Sequence, residues 1–125
     1  MNMMRNRSQR PSGPDIDRNL PLRPTACAVL AALADGPKPG IDVLEAVNAT
    51  VPGRPLLGPG TLYRLLRELR QQELIARTDA HPDPGDDRQV HHALTPLGRA
   101  VLQAELARLR RTLDLAARVR PAGGR

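Results

Sequence analysis

The sequence predicts a mainly α fold with one small β-hairpin, arranged as a winged helix-turn-helix followed by a C-terminal dimerisation helix. Three observations predict it. Apolar residues recur at helical spacing in four separate stretches, and the last two of these open on proline at the first helical position. Two short segments, Leu74–Thr78 and Gln89–Leu94, flank a polar, turn-rich loop between the third and fourth stretches. The chain has 125 residues, the material of one domain. The order helix, helix, helix, hairpin, helix is that of a winged helix-turn-helix with an added helix.

The elements follow in order. Residues 1–22 hold Pro11, Gly13, Pro14 and Pro21 without an apolar period, and read as a disordered basic arm carrying Arg5, Arg7, Arg10 and Arg18. Residues 23–94 are expected to form the winged helix-turn-helix domain and residues 95–120 the dimerisation helix, with a frayed tail from Pro121. The first helix covers about Thr25–Asp35, with Ala26, Val29, Leu30 and Leu33 on one face and Gly36-Pro37 ending it. The second covers about Ile41–Thr50, with Val43, Leu44 and Val47 inward, before a loop containing Pro52, Gly53 and Pro55. The third runs from Pro59 to about Gln72, with Gly58 as its N-cap. The hairpin tip, Asp79–Arg88, holds two prolines and Gly85. Thr95-Pro96 caps and opens the fourth helix, which continues to about Arg118.

Composition narrows the function. Nineteen Lys+Arg stand against 13 Asp+Glu, a formal charge of +6, and Lys38 is the one lysine. That balance favours an anionic partner. Tyr63 is the single aromatic, so the core is aliphatic and a stacking platform for single-stranded nucleic acid is excluded. Cys27 alone excludes an intrachain disulfide and a cysteine-rich zinc site, and reads as a small core residue. His81, His91 and His92 make no metal sensor with it, because adjacent strand residues point to opposite faces. Asp86-Asp87 reads as a solvated turn. With no Ser/His/Asp elbow, phosphate loop or dinucleotide fingerprint, neither catalysis nor a cofactor or metal is expected. No apolar run approaches the ~20 residues of a spanning helix, nor does one follow the Arg-rich start as in a signal peptide. The expected setting is cytoplasmic, at the nucleoid when bound to DNA.

The third helix reads as a reading head. At ~100° per residue, Leu62, Leu65, Leu66 and Leu69 fall on one face, while Tyr63, Arg64, Arg67, Arg70 and Gln71 fall roughly opposite. Arg64, Arg67 and Arg70 lie on neighbouring turns. Guanidinium bridges phosphates and reads guanine bidentately in a major groove. The N-terminus of the same helix offers free N–H groups, a positive dipole and the Thr61 hydroxyl, all suited to phosphate. A solvated charged face is the ordinary reading of such an arginine stripe. The hairpin directly after it, the net charge and the Pro/Gly turn before it favour DNA.

The segments Gly58–Ile75 (GPGTLYRLLRELRQQELI) and Asp86–Leu106 (DDRQVHHALTPLGRAVLQAEL) resemble the PadR family of bacterial transcriptional regulators. Pro59-Gly60-Thr61-Leu62-Tyr63, with Leu66, Leu69, Leu74 and Ile75, matches its recognition-helix block, and Leu94-Thr95-Pro96-Leu97-Gly98-Arg99 matches the block that opens its C-terminal helix. The resemblance spans residues ~25–115. It implies a homodimeric winged helix-turn-helix repressor that dimerises through the C-terminal helix. It also implies that the hydroxyls of Thr61 and Tyr63 touch the DNA backbone. Many relatives respond to small phenolic or drug-like compounds held between the DNA-binding part and the C-terminal helix, so an effector of unspecified identity is implied as well. With one aromatic here, its pocket would be lined by Leu and Val. Three departures stand out: His91-His92 where two aromatics are usual, Glu73 for glycine before the first strand, and a wing tip of Asp79, Asp83, Asp86 and Asp87 against Arg88. Phosphate repels those carboxylates, so wing contacts are expected from the stem, through Arg77 and Arg88.

In the fourth helix Leu102, Leu106, Leu109, Leu113 and Ala116 recur at a heptad spacing, a seam along a helix about 34 Å long at ~1.5 Å per residue. Leu97 and Val101 form a second apolar edge facing the hairpin. The seam is expected to be a dimer interface, which gives two reading heads a two-fold relation suited to a palindromic operator. The sequence therefore points to a homodimeric, sequence-specific binder of double-stranded DNA that represses transcription. Thr61, Tyr63, Arg64, Arg67, Arg70, Arg77 and Arg88 are its contact residues. The rival readings are a winged-helix module that binds another protein through the seam, and a DNA-packing protein without sequence preference.

Overall fold

In the computed structural model, residues 11–78 and 90–118 are described. Ser12 starts the first helix, α1 (Gly13–Asp17): its hydroxyl oxygen accepts the Asp15 N–H at 3.1 Å, and proline stands in the first turn. Arg18 pairs with Asp15, and Asn19 Nδ2 donates to the Asp15 carbonyl at 2.9 Å. Ile16, Leu20 and Leu22 then pack against the core. This corrects the expectation of a disordered arm for residues 11–22. The rest of that arm, with Arg5, Arg7 and Arg10, lies outside the described residues.

The next helix, α2, spans Pro24–Ala32 and buries Ala26, Val29 and Leu30. It stops short of Asp35, because Leu33, Ala34 and Gly36 donate to carbonyls three residues back and tighten the exit. Gly36 has φ 144°, a conformation other residues resist. A two-residue strand, β1 (Lys38–Pro39), leads into α3 (Gly40–Asn48), which buries Val43 and Val47. The helix expected to read DNA, α4, called the reading helix below, spans Pro59–Gln71 and buries Leu62, Leu66 and Leu69. Strands β2 (Ile75–Arg77) and β3 (His91–Leu94) pair antiparallel, with Ile75 opposite Leu94 and Arg77 opposite His92. β3 also pairs with β1, Lys38 opposite His92, so the sheet order is β1-β3-β2 and the expected hairpin is a three-stranded sheet. The last helix, α5 (Pro96–Ala116), crosses back over α2 and α1.

One aliphatic core joins these elements. Val29, Leu30, Val43, Val47, Leu62, Leu66 and Val101 have no exposed surface. Each such side chain contributes roughly 1.5–3 kcal/mol. The architecture is a winged helix with a C-terminal helix. Among the described residues, no helix is long and apolar enough to cross a membrane.

Candidate nucleic-acid interface

The turn that delivers α4 is built by one side chain. The Asn48 Oδ1 accepts the N–H groups of Leu56 and Leu57, both at 2.8 Å, while its Nδ2 donates to the Leu57 carbonyl at 3.0 Å. An amide side chain has one acceptor and one donor end, and here both close the loop between α3 and α4. Gly58 then takes an extended conformation before Pro59, and no side chain caps the helix. The first turn is therefore exposed at Gly60 and Thr61, with its amide groups and dipole facing outward.

With the leucine face buried, Thr61, Arg64 and Arg67 lie exposed on one side of α4. Tyr63 is half-buried and packs against the core, so its ring is partly structural. Arg70 departs from the expected stripe: it is half-buried and lines a cleft beyond the C-terminal end of α4. Arg77 is exposed on β2, on the stem of the wing. Arg88 and the four aspartates of the wing tip lie outside the described residues.

The reading helix ends in a Schellman turn. The Glu73 N–H donates to the Arg70 carbonyl and the Leu74 N–H to the Leu69 carbonyl, both at 2.9 Å. Glu73 sits at φ 63°, in the left-handed region that favours glycine, at the position where the sequence departs from the expected glycine. Thr95 locks this turn to α5. Its hydroxyl donates to the Glu73 carbonyl at 2.6 Å and accepts the Gly98 N–H at 2.9 Å, and its own N–H donates to the Leu74 carbonyl at 3.1 Å. Gly98 is the residue that permits this approach: a Cβ there would lie 1.9 Å from the Leu74 carbonyl oxygen. The Thr-Pro-Leu-Gly run is thus the joint between reading helix, wing and C-terminal helix.

Inside the joint with the N-terminal segment sits Glu105, 2% exposed. Arg108 holds it with two hydrogen bonds, at 2.7 and 3.1 Å, and the Leu22 N–H donates to it at 3.2 Å. The Arg108 contact, helped by Leu22, keeps the carboxyl below the usual glutamate range against the opposing effect of burial. Burial pushes the neighbouring Cys27 thiol up, with the Glu105 charge adding to it, which keeps the thiol protonated. His92 is buried in the central strand while His91 is half-buried on its other face. Among the described residues no group of three His, Cys, Asp or Glu is placed to hold a metal ion.

The expected seam divides within α5. Leu102 is buried in the core of the single chain, which removes it from the expected partner surface. Beyond it Leu106 is 39% and Leu113 67% exposed, Leu109 is half-buried and Ala116 exposed. Leu115, which the heptad reading passes over, is 65% exposed.

Comparison with known proteins agrees with this geometry. The model of the "Transcriptional regulator PadR-like family" matches residues 29–104, from the second helix through the joint to the buried half of α5. The chain belongs to the PadR-like family. Solved structures of similar fold include the adhesin competence repressor AdcR from Streptococcus pyogenes, with a TM-score of 0.56 at 20% identity over 82% of this chain and 69% of that one. Another is Bordetella bronchiseptica BpsR, described for the regulation of its DNA binding by 6-hydroxynicotinic acid, with a TM-score of 0.57 at 23% identity over 91% of this chain and 76% of that one. At such identities the likeness is one of fold. No curated protein matches the chain. As a PadR-like regulator, the protein acts in control of transcription, and the PadR-like match covers both the reading helix and the joint behind it.

Proposed function

We propose that this PadR-like regulator binds double-stranded DNA sequence-specifically as a cytoplasmic homodimer and represses transcription from a palindromic operator. The observation that carries the reading is the exposed Thr61, Arg64 and Arg67 on a helix whose opposite face is buried. Arg64 and Arg67 reach base edges or flanking phosphates. Thr61 and the open first turn take a phosphate, with the Tyr63 hydroxyl beside them. Arg77 and Arg88 supply further phosphate contacts, and Arg70 contributes charge from the end of the helix. Leu106, Leu109, Leu113 and Ala116 form the interface with a second copy.

The test is selection of bound sequences from random DNA with the purified protein, followed by titration against salt. A palindrome is expected. If six or more phosphates are neutralised, log K falls against log salt with a slope steeper than about −5. Recovery of no common sequence would favour packing of DNA without preference, and a slope near zero would favour a protein-binding module.

A further inference from the structure

The chain reaches the reading helix through residues 49–58, a connection that carries Pro52, Gly53 and Pro55. Among the described residues, the backbone of residues 52–57 makes no hydrogen bond to other backbone. Leu56 and Leu57 bond instead to one side chain. Asn48, the last residue of α3, accepts both of their N–H groups on Oδ1, at 2.8 Å each, and donates from Nδ2 to the Leu57 carbonyl at 3.0 Å. All three are ordinary N–H···O distances. The Leu57 side chain is also buried in the core, but an apolar contact is non-directional and leaves the backbone free to turn about it. Asn48 therefore supplies the directional hold on the segment that enters Gly58 and Pro59. The other end of α4 is fixed independently, by the turn through Glu73 and Leu74 and by Thr95.

We propose that Asn48 is a positioning residue for base readout: by fixing the N-terminal end of α4, it sets how well the protein tells one DNA sequence from another. A recognition helix presents its N-terminal residues to base edges. Here those are Thr61 and Arg64, both exposed. Over the roughly 18 Å of a 13-residue helix, a tilt of about 10° about the fixed C-terminal end moves the first turn by about 3 Å. A bidentate contact from Arg64 to a base needs hydrogen bonds of about 2.7–3.2 Å and does not survive that displacement. Attraction between arginines and phosphates acts over longer distances and does survive it. Loss of the Asn48 side chain thus removes discrimination rather than attachment. The leucine face of α4 is untouched by that loss, so the helix stays folded on the core through Leu62, Leu66 and Leu69. The effect on DNA rests on the proposed DNA-binding reading; the seating of α4 does not.

The experiment compares the full chain with Asn48→Ala, Asn48→Asp and Thr50→Ala. The last is the control: it too removes a hydrogen bond at the end of α3, from the Thr50 hydroxyl to the Val47 carbonyl at 2.7 Å, but leaves the Leu56 and Leu57 contacts in place. Without DNA, acrylamide quenching of the fluorescence of Tyr63, the single aromatic of the chain, reports the seating of α4. Quenching is expected to rise in Asn48→Ala at unchanged far-UV circular dichroism, and to stay at the wild-type value in Thr50→Ala. With DNA, affinity is measured for the sequence recovered by selection and for a random duplex of equal length. The ratio of the two is expected to fall at least about tenfold in Asn48→Ala, the loss of one bidentate base contact, while the affinity for the random duplex holds. Asn48→Asp keeps the acceptor for both N–H groups and is expected to fall between Asn48→Ala and wild type. Unchanged quenching, an unchanged ratio, an equal loss on both duplexes, or loss of the folded state in Asn48→Ala would overturn the proposal. A wild-type protein without preference between the duplexes would remove the sequence-reading function itself, and Tyr63 quenching would still decide whether Asn48 seats α4.

Discussion

Replacing Gly98 with alanine adds one methyl group where α5 meets the end of the reading helix. The new Cβ would lie 1.9 Å from the Leu74 carbonyl oxygen and 2.8 Å from its carbonyl carbon. An ordinary carbon–oxygen contact is about 3.3 Å or more, so the two segments must part by more than an ångström. Leu74 is backbone at this contact and fully buried, so no flexible side chain can yield in its place. Parting breaks the Thr95 N–H bond to Leu74, now 3.1 Å, and strains the Thr95 hydroxyl bond to Glu73, now 2.6 Å. Overpacking of this kind costs about 1–3 kcal/mol. Two hydrogen bonds contribute about 0.5–1.5 kcal/mol each. The helix propensity of alanine returns about 1 kcal/mol. The net loss is therefore about 1–5 kcal/mol, or at least ~4 °C in Tm for a domain of this size. Urea unfolding of both proteins at one concentration measures it, since self-association also shifts apparent stability. Gly60→Ala is the control: it too lies in the first turn of a helix, but a Cβ there meets nothing within 4 Å. Equal stability of the two variants would refute the account of the joint.

Three further outcomes are expected. Arg64→Ala with Arg67→Ala weakens operator binding by about 2–6 kcal/mol, at ~1–3 per bidentate base contact, with the circular dichroism spectrum unchanged; full affinity in a gel shift would remove both from the interface. Leu106→Asp with Leu113→Asp makes the protein monomeric in light scattering, since each buried leucine contributes roughly 1.5–3 kcal/mol and each new carboxylate must be desolvated. Glu105 ionises below the usual glutamate range, so its contribution to stability is present above about pH 4.3 and is lost as pH falls through its lowered folded value. The Tm gap between wild type and Glu105→Gln should then be widest near neutrality and narrow as the pH falls below the usual glutamate range; a constant gap would show that the charge does not matter.

What the sequence made legible is what short-range chemistry decides. The leucine period of α4, Pro59 at its start and the Thr95-Pro96 opening of α5 are local signals, and the structure follows each of them. The missing pieces are held by distant partners. β1 has two residues and exists because β3 pairs with it. α1 has five residues, too few to stand alone, and depends on Ile16, Leu20 and Leu22 reaching the core. A signal was present there in Ser12 and Asp15, spaced as a cap and its first-turn acid. Arg70 was misplaced for a related reason. A helical projection treats α4 as isolated, whereas Arg70 lies at the edge of its stripe, where the N-terminal segment and β2 come to line one cleft with it. Glu105 gave no warning, since its burial rests on Leu22, 83 residues away in sequence.

The division of α5 bears most directly on the proposed homodimer. Up to Glu105 the helix faces its own chain: Val101 and Leu102 are in the core and Glu105 is tied to Leu22. From Leu106 onward, among the described residues, its leucines are less covered: Leu109 is half-buried, and Leu113 and Leu115 are each about two-thirds exposed. That second half is a stretch of roughly three turns, a length at which a helix gains little stability on its own in water. Three of its four leucines, at positions 106, 109 and 113, have a spacing that aligns them along one side. A polar surface would serve a solitary helix better there. Covering these residues with the same residues of a second copy removes them from water and leaves the reading helix of each copy, anchored through Thr95 and Gly98 to the first half of α5, in a fixed relation to the other. The dimer contact and the DNA-reading joint would then be two ends of one rigid rod, so a change at the joint such as Gly98→Ala is expected to alter the spacing of the two reading helices as well as stability. Affinity for palindromes of altered half-site spacing distinguishes the two effects: loss of stability alone lowers affinity for every spacing equally, whereas a bent rod moves the optimum.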